Sequence, residues 1–170
     1  MALHVLAHFV RPLRGLRDLV FTSLAVPMGG IVCYSFWGVW FLLGRELIFP
    51  REMDAIFPNW LNHTVHTSIV PINLLLACMV HHKYYKNASL ITLTYMLAYC
   101  AWLYYIKFQT GFFVYPYMDT FDEVTRLIYI GATAVFSYLL YKFGQWFTYA
   151  IHGKHVSEGA RSSSTKRKQK

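Results

Sequence analysis

The chain has 170 residues, of which 56% are hydrophobic and only 14% charged, with a formal net charge of +8. Soluble domains average roughly 25% charged residues, so this composition argues against a soluble globular class. The positive balance does not point to nucleic acid: six of the sixteen Lys/Arg sit in one tail, Lys154, Arg161, Lys166, Arg167, Lys168 and Lys170, without a recognition module, as expected of a cytosolic membrane-protein segment.

Arg11, Arg14 and Arg17 open the chain and precede an apolar run of about 25 residues, longer than the 7–15 of a signal-peptide core. The expected class is therefore an uncleaved, all-α, multi-span transmembrane helix bundle. Residues 1–18 are expected to form a basic cytosolic segment, 19–151 a four-helix transmembrane domain, and 152–170 a basic disordered tail.

Four runs are long enough to cross a ~30 Å hydrocarbon layer. The first, about Leu19–Leu43, carries Pro27, Gly29 and Gly30, which predict a kink or a close helix contact near its start. The second, about Trp60–Val80, has Pro71 in its middle. The third is about Ala88–Ile106, where Tyr95, Tyr99 and Tyr104 read as packing and interface groups. The fourth is about Val124–Ile151, with Arg126 and Lys142 placed to snorkel or to meet a partner. Cys33, Cys78 and Cys100 all lie inside apolar runs without zinc-type spacing and read as packing residues.

Loop charges set the orientation. The N-terminal segment, the Lys83–Lys86 loop and the tail hold eleven of the sixteen basic residues, and four spans place all three on one side. The other loops hold Arg45, Arg51 and Lys107, offset by Glu46, Glu52, Asp54, Asp119, Asp122 and Glu123. Both termini are thus expected to be cytosolic. Trp60 then anchors the second span at the opposite interface, and His66 lies about 9 Å deep at ~1.5 Å per residue.

The head of that second run is the most informative stretch: Asn62, His63, Thr64, His66 and Thr67 cluster where hydrocarbon offers no water to satisfy them. An ionisable group inside a span is a functional-site hypothesis. His63 and His66, three apart, fall on one helix face. One histidine can serve as a general base near neutral pH; the alternative is a structural histidine bonding across helices.

Three segments carry a resemblance: Arg45-Glu-Leu-Ile-Phe-Pro50, Pro58-Asn-Trp-Leu-Asn-His-Thr-Val-His-Thr67 with Pro71, and Thr110-Gly-Phe-Phe-Val-Tyr-Pro116. Together with Arg17–Pro27 they resemble the androgen-induced and androgen-dependent TFPI-regulating protein family, over roughly Leu13 to Ile151. Phe113 stands where that family usually has Trp.

The resemblance implies an integral membrane hydrolase of fatty acid esters of hydroxy fatty acids, with a threonine nucleophile and a histidine within the membrane. The family histidine maps onto His66. Asn62 or His63 then supports it, by orienting the imidazole or by donating to a developing oxyanion. The family has six spans, and its nucleophile follows a Trp-Lys pair in the first. Met1–Val10 shows no Trp-Lys-x-x-Thr pattern, so the first two spans and the nucleophile are expected to be missing from this chain. The implied partners are membrane lipids, a lipid-ester substrate entering from the bilayer and a full-length homologue; the competing reading is a non-catalytic scaffold or partner protein.

Haem and metal are disfavoured. Two histidines three apart on one helix cannot be the two axial ligands of one haem, and spans three and four bring no His, Asp or Glu in their cores as a third zinc ligand; no cofactor is expected. The acceptor patterns Asn62-His-Thr64 and Asn87-Ala-Ser89 are placed where modification is not expected. The terminal Lys166-Arg-Lys168-Gln-Lys170 resembles a dilysine retrieval signal or serves as a basic patch for anionic lipid. The expected location is the endoplasmic reticulum or the plasma membrane.

Overall fold

The computed structural model describes residues 13–85 and 87–153, all of whose regular structure is helical. Met1–Val10, Arg11 and the tail from Lys154 onward lie outside the described residues. Helix α1 runs Leu13–Leu42, α2 Asn59–His66, α3 Ile69–Met79, α4 Ala88–Thr110, α5 Pro116–Asp119 and α6 Glu123–His152. α1, α4 and α6 are each long and apolar enough to cross a membrane. α1 starts at Leu13, so its first turns reach back into the segment expected to precede the span.

The second apolar run is not one helix. Pro71 has no N–H to give the Thr67 carbonyl four residues earlier, and its ring crowds that turn. The ladder breaks at Thr67–Ser68: Ser68 N bonds back to His63 O at 3.0 Å, and Val70 N reaches Thr67 O at 3.4 Å. The eleven-residue α3 spans only ~16 Å at ~1.5 Å per residue. The run therefore forms an interrupted pair of short helices, and in place of the four expected spans three helices among the described residues are long and apolar enough to cross a membrane.

Pro27 perturbs α1 in a related way. Phe21–Ala25 takes a π-helical turn just before it, and the Pro27 ring cannot donate to Ser23 O. Thr92 of α4, fully buried, donates its hydroxyl to that carbonyl at 2.6 Å. Asn73 of α3 donates its amide to Ala25 O at 2.8 Å. The expected close approach follows directly. A Cβ on Gly29 would lie 2.7 Å from Asn73 Nδ2, and one on Gly30 would lie 2.6 Å from Leu140 Cδ1. Small residues let backbones approach where no hydrophobic force drives helices together in lipid.

α1 packs against α3 and α6, and through its π-turn against α4, which also packs on α6. At one end, which holds Leu13 and the 80–87 loop, Asp18 accepts from Arg17 and from the fully buried His82 Nδ1 at 3.0 Å, while the His82 ring stacks on Phe21 at 3.9 Å. At the other end, residues 43–58 and 111–122 fold over the bundle. Gly111, with φ 85°, ends α4 in a left-handed conformation that glycine adopts without strain. Asp122 caps α6 by accepting from Thr125 N at 2.7 Å. Arg126 meets partners and does not snorkel. Its guanidinium donates to Met118 O and Phe121 O and lies 4.7 Å from the Phe113 ring. Phe113 is thereby buried between Arg126 and Lys107.

Candidate functional site

The two loops roof a cavity of about 470 Å³ between α1, α4 and α6. That volume lies within the ~300–1,000 Å³ range of ligand sites. Its lining is mostly apolar: Met28, Ile31, Val32 and Phe36 from α1, Met96 and Leu103 from α4, Ile48 and Phe49 from one loop, Val114 and Met118 from the other. His66 enters it from the end of α2, and its ring stacks on Phe36 with centroids 3.8 Å apart.

Asn62, one turn earlier, sets the state of that imidazole. Nδ1 of His66 lies 2.6 Å from Asn62 Oδ1 and 3.2 Å from Asn62 O. Both oxygens are acceptors, so Nδ1 carries the hydrogen and Nε2 keeps its lone pair. Asn62 is buried at 2% exposure, so its side chain is held by packing. The helical i, i+4 spacing brings the two together.

His63 is arranged differently. It stacks on Trp37 at 5.2 Å, and its Nδ1 meets Thr67 Oγ1 at 3.0 Å; Trp37 Nε1 donates to the same oxygen at 3.1 Å. His63 and Thr67 are exposed and do not line the cavity. Of the three residues singled out from the sequence, His66 and Asn62 are brought together, and His63 forms a separate pin to α1. Thr64 is also engaged, donating to Trp60 O at 2.8 Å. Among the described residues no group of three His, Cys, Asp or Glu could hold a metal ion.

Sequence reasoning misses the phenols. Tyr99, Tyr115, Tyr117 and Tyr129 all line the cavity. Tyr99 reads as packing from the sequence, and nothing in the spacing of the others marks them. Only the fold joins Tyr99 to Tyr115, with hydroxyls 2.6 Å apart, and Tyr117 to Tyr129, at 3.1 Å. Burial pushes the Tyr117 phenol well above its ordinary pKa, so it stays a neutral O–H. In the roof, hydrogen bonding to Lys107 holds the Asp119 carboxyl below its usual range, and Arg45 does the same for Asp54.

The sequence profile of the FAR-17a/AIG1-like protein family matches residues 5–149. The human androgen-induced gene 1 protein is 33% identical over 138 residues, covering 80% of this chain and 58% of the relative. The human androgen-dependent TFPI-regulating protein is 33% identical over 138 residues, covering 80% and 60%. Its rat counterpart is 34% identical over 134 residues, covering 76% and 56%. The chain thus spans less than two thirds of the length of these relatives. No solved structure matches it. With its apolar membrane-length helices and a profile match over most of its length, the chain belongs to the FAR-17a/AIG1-like family of membrane proteins.

Proposed function

We propose that this chain supplies the histidine of a membrane-embedded hydrolase of fatty acid esters of hydroxy fatty acids, with His66 as general base and Asn62 as the residue that positions it. The observation that carries the reading is the contact of His66 Nδ1 with two Asn62 oxygens, which favours the hydrogen on Nδ1 and leaves the Nε2 lone pair as the available base of an imidazole that lines an apolar cavity. The acyl chain and ester group of such a substrate suit this lining, and its free carboxylate would lie outside the cavity.

The nucleophile in this reading is a threonine from a helix outside the present sequence, because the described threonines near His66 are engaged. Thr64 and Thr133 donate to backbone carbonyls, and Thr67 faces His63. The threonine O–H proton passes to His66 Nε2 as the oxygen attacks the ester carbonyl carbon. The tetrahedral intermediate collapses by releasing the hydroxy fatty acid, whose alkoxide oxygen takes the proton back from Nε2. Water then attacks the acyl-threonine with the same base, freeing the fatty acid. The orientation with both termini cytosolic, in the endoplasmic reticulum or plasma membrane, belongs to this reading.

Turnover of a hydroxy-fatty-acid ester tests it, using the chain alone and the chain extended by the upstream helices of the human androgen-induced gene 1 protein. The extended protein should hydrolyse the ester, and His66→Ala should lower the rate at least a hundredfold. Undiminished turnover by that variant removes His66 from the mechanism. Robust turnover by the chain alone removes the external nucleophile. Inactivity of both forms favours the non-catalytic scaffold reading.

A further inference from the structure

Five tyrosines line the cavity, and four of them pair their hydroxyls, Tyr99 with Tyr115 and Tyr117 with Tyr129. Each pair, Tyr99–Tyr115 and Tyr117–Tyr129, holds two hydroxyl hydrogens and one hydrogen bond. One O–H of each pair is therefore left over, and among the described residues the pair partner is the sole hydrogen-bonding partner of each oxygen. Tyr117 is buried and the other three are half-buried; a hydroxyl shielded from water without an acceptor is costly, and apart from Ser35, His66, Tyr95 and Thr133 the rest of the lining is mainly hydrocarbon.

An occupant that offers an oxygen acceptor on an apolar body would satisfy both surplus donors. Charge narrows the class further. No Lys or Arg lines the cavity. Arg126 spends its guanidinium on Met118 O, Phe121 O and Glu123, and Lys107 is paired with Asp119. His66, a neutral base in the proposed reading, is the one lining group that could turn cationic, so a carboxylate would meet no fixed counter-charge, which a low-dielectric site penalises heavily. A neutral carbonyl oxygen carries no such penalty and has two lone pairs for two donors.

We propose that the two tyrosine pairs form the subsite for the neutral ester carbonyl of a long-chain acyl lipid, with the acyl chain lying in the apolar part of the cavity. The assignment rests on the lipid-ester reading of this family member and names the groups that recognise the ester. In turnover the phenols would be donors to the carbonyl oxygen on which negative charge develops.

Binding needs neither a nucleophile nor hydrolysis, so the present chain is sufficient for the test. The probes are methyl oleate, the hydrocarbon of matching length and oleate itself. They are titrated against purified protein in nanodiscs by displacement of a fluorescent acyl ester. Methyl oleate should bind more tightly than the hydrocarbon by roughly three- to tenfold per surplus donor. Its affinity should be flat between pH 6 and pH 9, while that of oleate should fall as it ionises.

A single Phe substitution leaves the second hydroxyl of a pair free to serve the ligand, so the decisive variants are doubles within a pair. Tyr99→Phe with Tyr115→Phe, and Tyr117→Phe with Tyr129→Phe, should each lower the ester preference by that factor. Hydrocarbon binding, which reports an intact cavity, should not change. An ester preference that persists in both doubles with hydrocarbon binding intact overturns the subsite, as does a wild-type protein without ester preference. If one double variant loses hydrocarbon binding as well, the other double decides; loss of hydrocarbon binding in both doubles also overturns the subsite, because the pairs then hold the cavity's structure. Lost hydrolysis in the extended protein with the ester preference retained overturns the hydrolase reading alone. Intact hydrolysis without ester preference overturns the subsite alone.

Discussion

The bond between Thr92 Oγ1 and Ser23 O, 2.6 Å long between two fully buried residues, can be tested by its dependence on Pro27. Thr92→Val keeps shape and volume but deletes the donor. Helix hydrogen bonds between membrane spans average about 0.6 kcal/mol and reach about 1.7, and a buried carbonyl left unsatisfied costs about 1–3 kcal/mol. Because Pro27 cannot supply an N–H to this carbonyl, the substitution belongs at the upper part of the span range, near 1.5 kcal/mol. That is a little over tenfold in the folding equilibrium.

Pro27→Ala supplies the missing N–H. In that background the carbonyl has an intrahelical donor, and Thr92→Val should cost no more than about 0.5 kcal/mol, leaving a coupling near 1 kcal/mol. The assay is reversible unfolding of the purified chain in mixed micelles, followed by circular dichroism, for all four members of the double-mutant cycle. Equal costs of Thr92→Val with and without the Pro27→Ala substitution would refute the claim that Thr92 compensates for the proline.

Gly29→Ala should destabilise the bundle, because its Cβ would push on Asn73 Nδ2 at 2.7 Å and disturb the bond to Ala25 O; Gly38→Ala, with nothing within 4 Å, should stabilise α1 by up to about 1 kcal/mol through helix propensity, both read by the same unfolding assay. The Phe113 amide, which donates to Asp119 Oδ2 at 2.8 Å, reports the roof by hydrogen exchange. The Asp119 pKa is lowered from 3.8 in the fold, chiefly by its hydrogen bond to Lys107, so its contribution is full above that value and is lost as pH falls through the lower folded one. Exchange at Phe113 should accelerate only in that acid window, and Asp119→Ala should raise it at neutral pH and remove the pH dependence. Asn62→Leu should cut hydrolysis by the extended protein at least tenfold through kcat with KM little changed, whereas His63→Ala should leave kcat within about threefold.

Much of this architecture is legible in the sequence, since the long apolar runs of α1, α4 and α6 need only length and hydropathy to be recognised. The crowding at Gly29 and Gly30 is also legible, because small residues beside a proline mark where backbones meet. The break at Thr67–Ser68 is not read from the sequence, where Trp60–Val80 passes as one span; Pro71 explains it once the fold is seen, by removing the donor that the Thr67 carbonyl would otherwise meet. The latch of Asp18 on His82 and the tyrosine pairs are not legible, since each joins residues 12 to 64 positions apart. Phenols and imidazoles look alike in a composition whether they pack or bond, and only the fold brings their polar atoms together.

The division of labour between the two histidines follows from helix geometry more than from chemistry. Residues three apart are near neighbours on a helix, yet at ~3.6 residues per turn they are still rotated by about 60° about the axis. α2 presents both rings to α1, where His66 meets Phe36 and His63 meets the adjacent Trp37. The rotation leaves His66 in the cavity and carries His63 to the exposed side. Asn62 lies four residues before His66 and can cap its Nδ1; the residue four after His63 is Thr67, at the break itself, where its hydroxyl is free to meet both His63 and Trp37. Pro71 thus shapes the site from a distance. By ending α2 immediately after His66, it frees Thr67 to pin the outer histidine and leaves the inner one between Asn62 and Phe36.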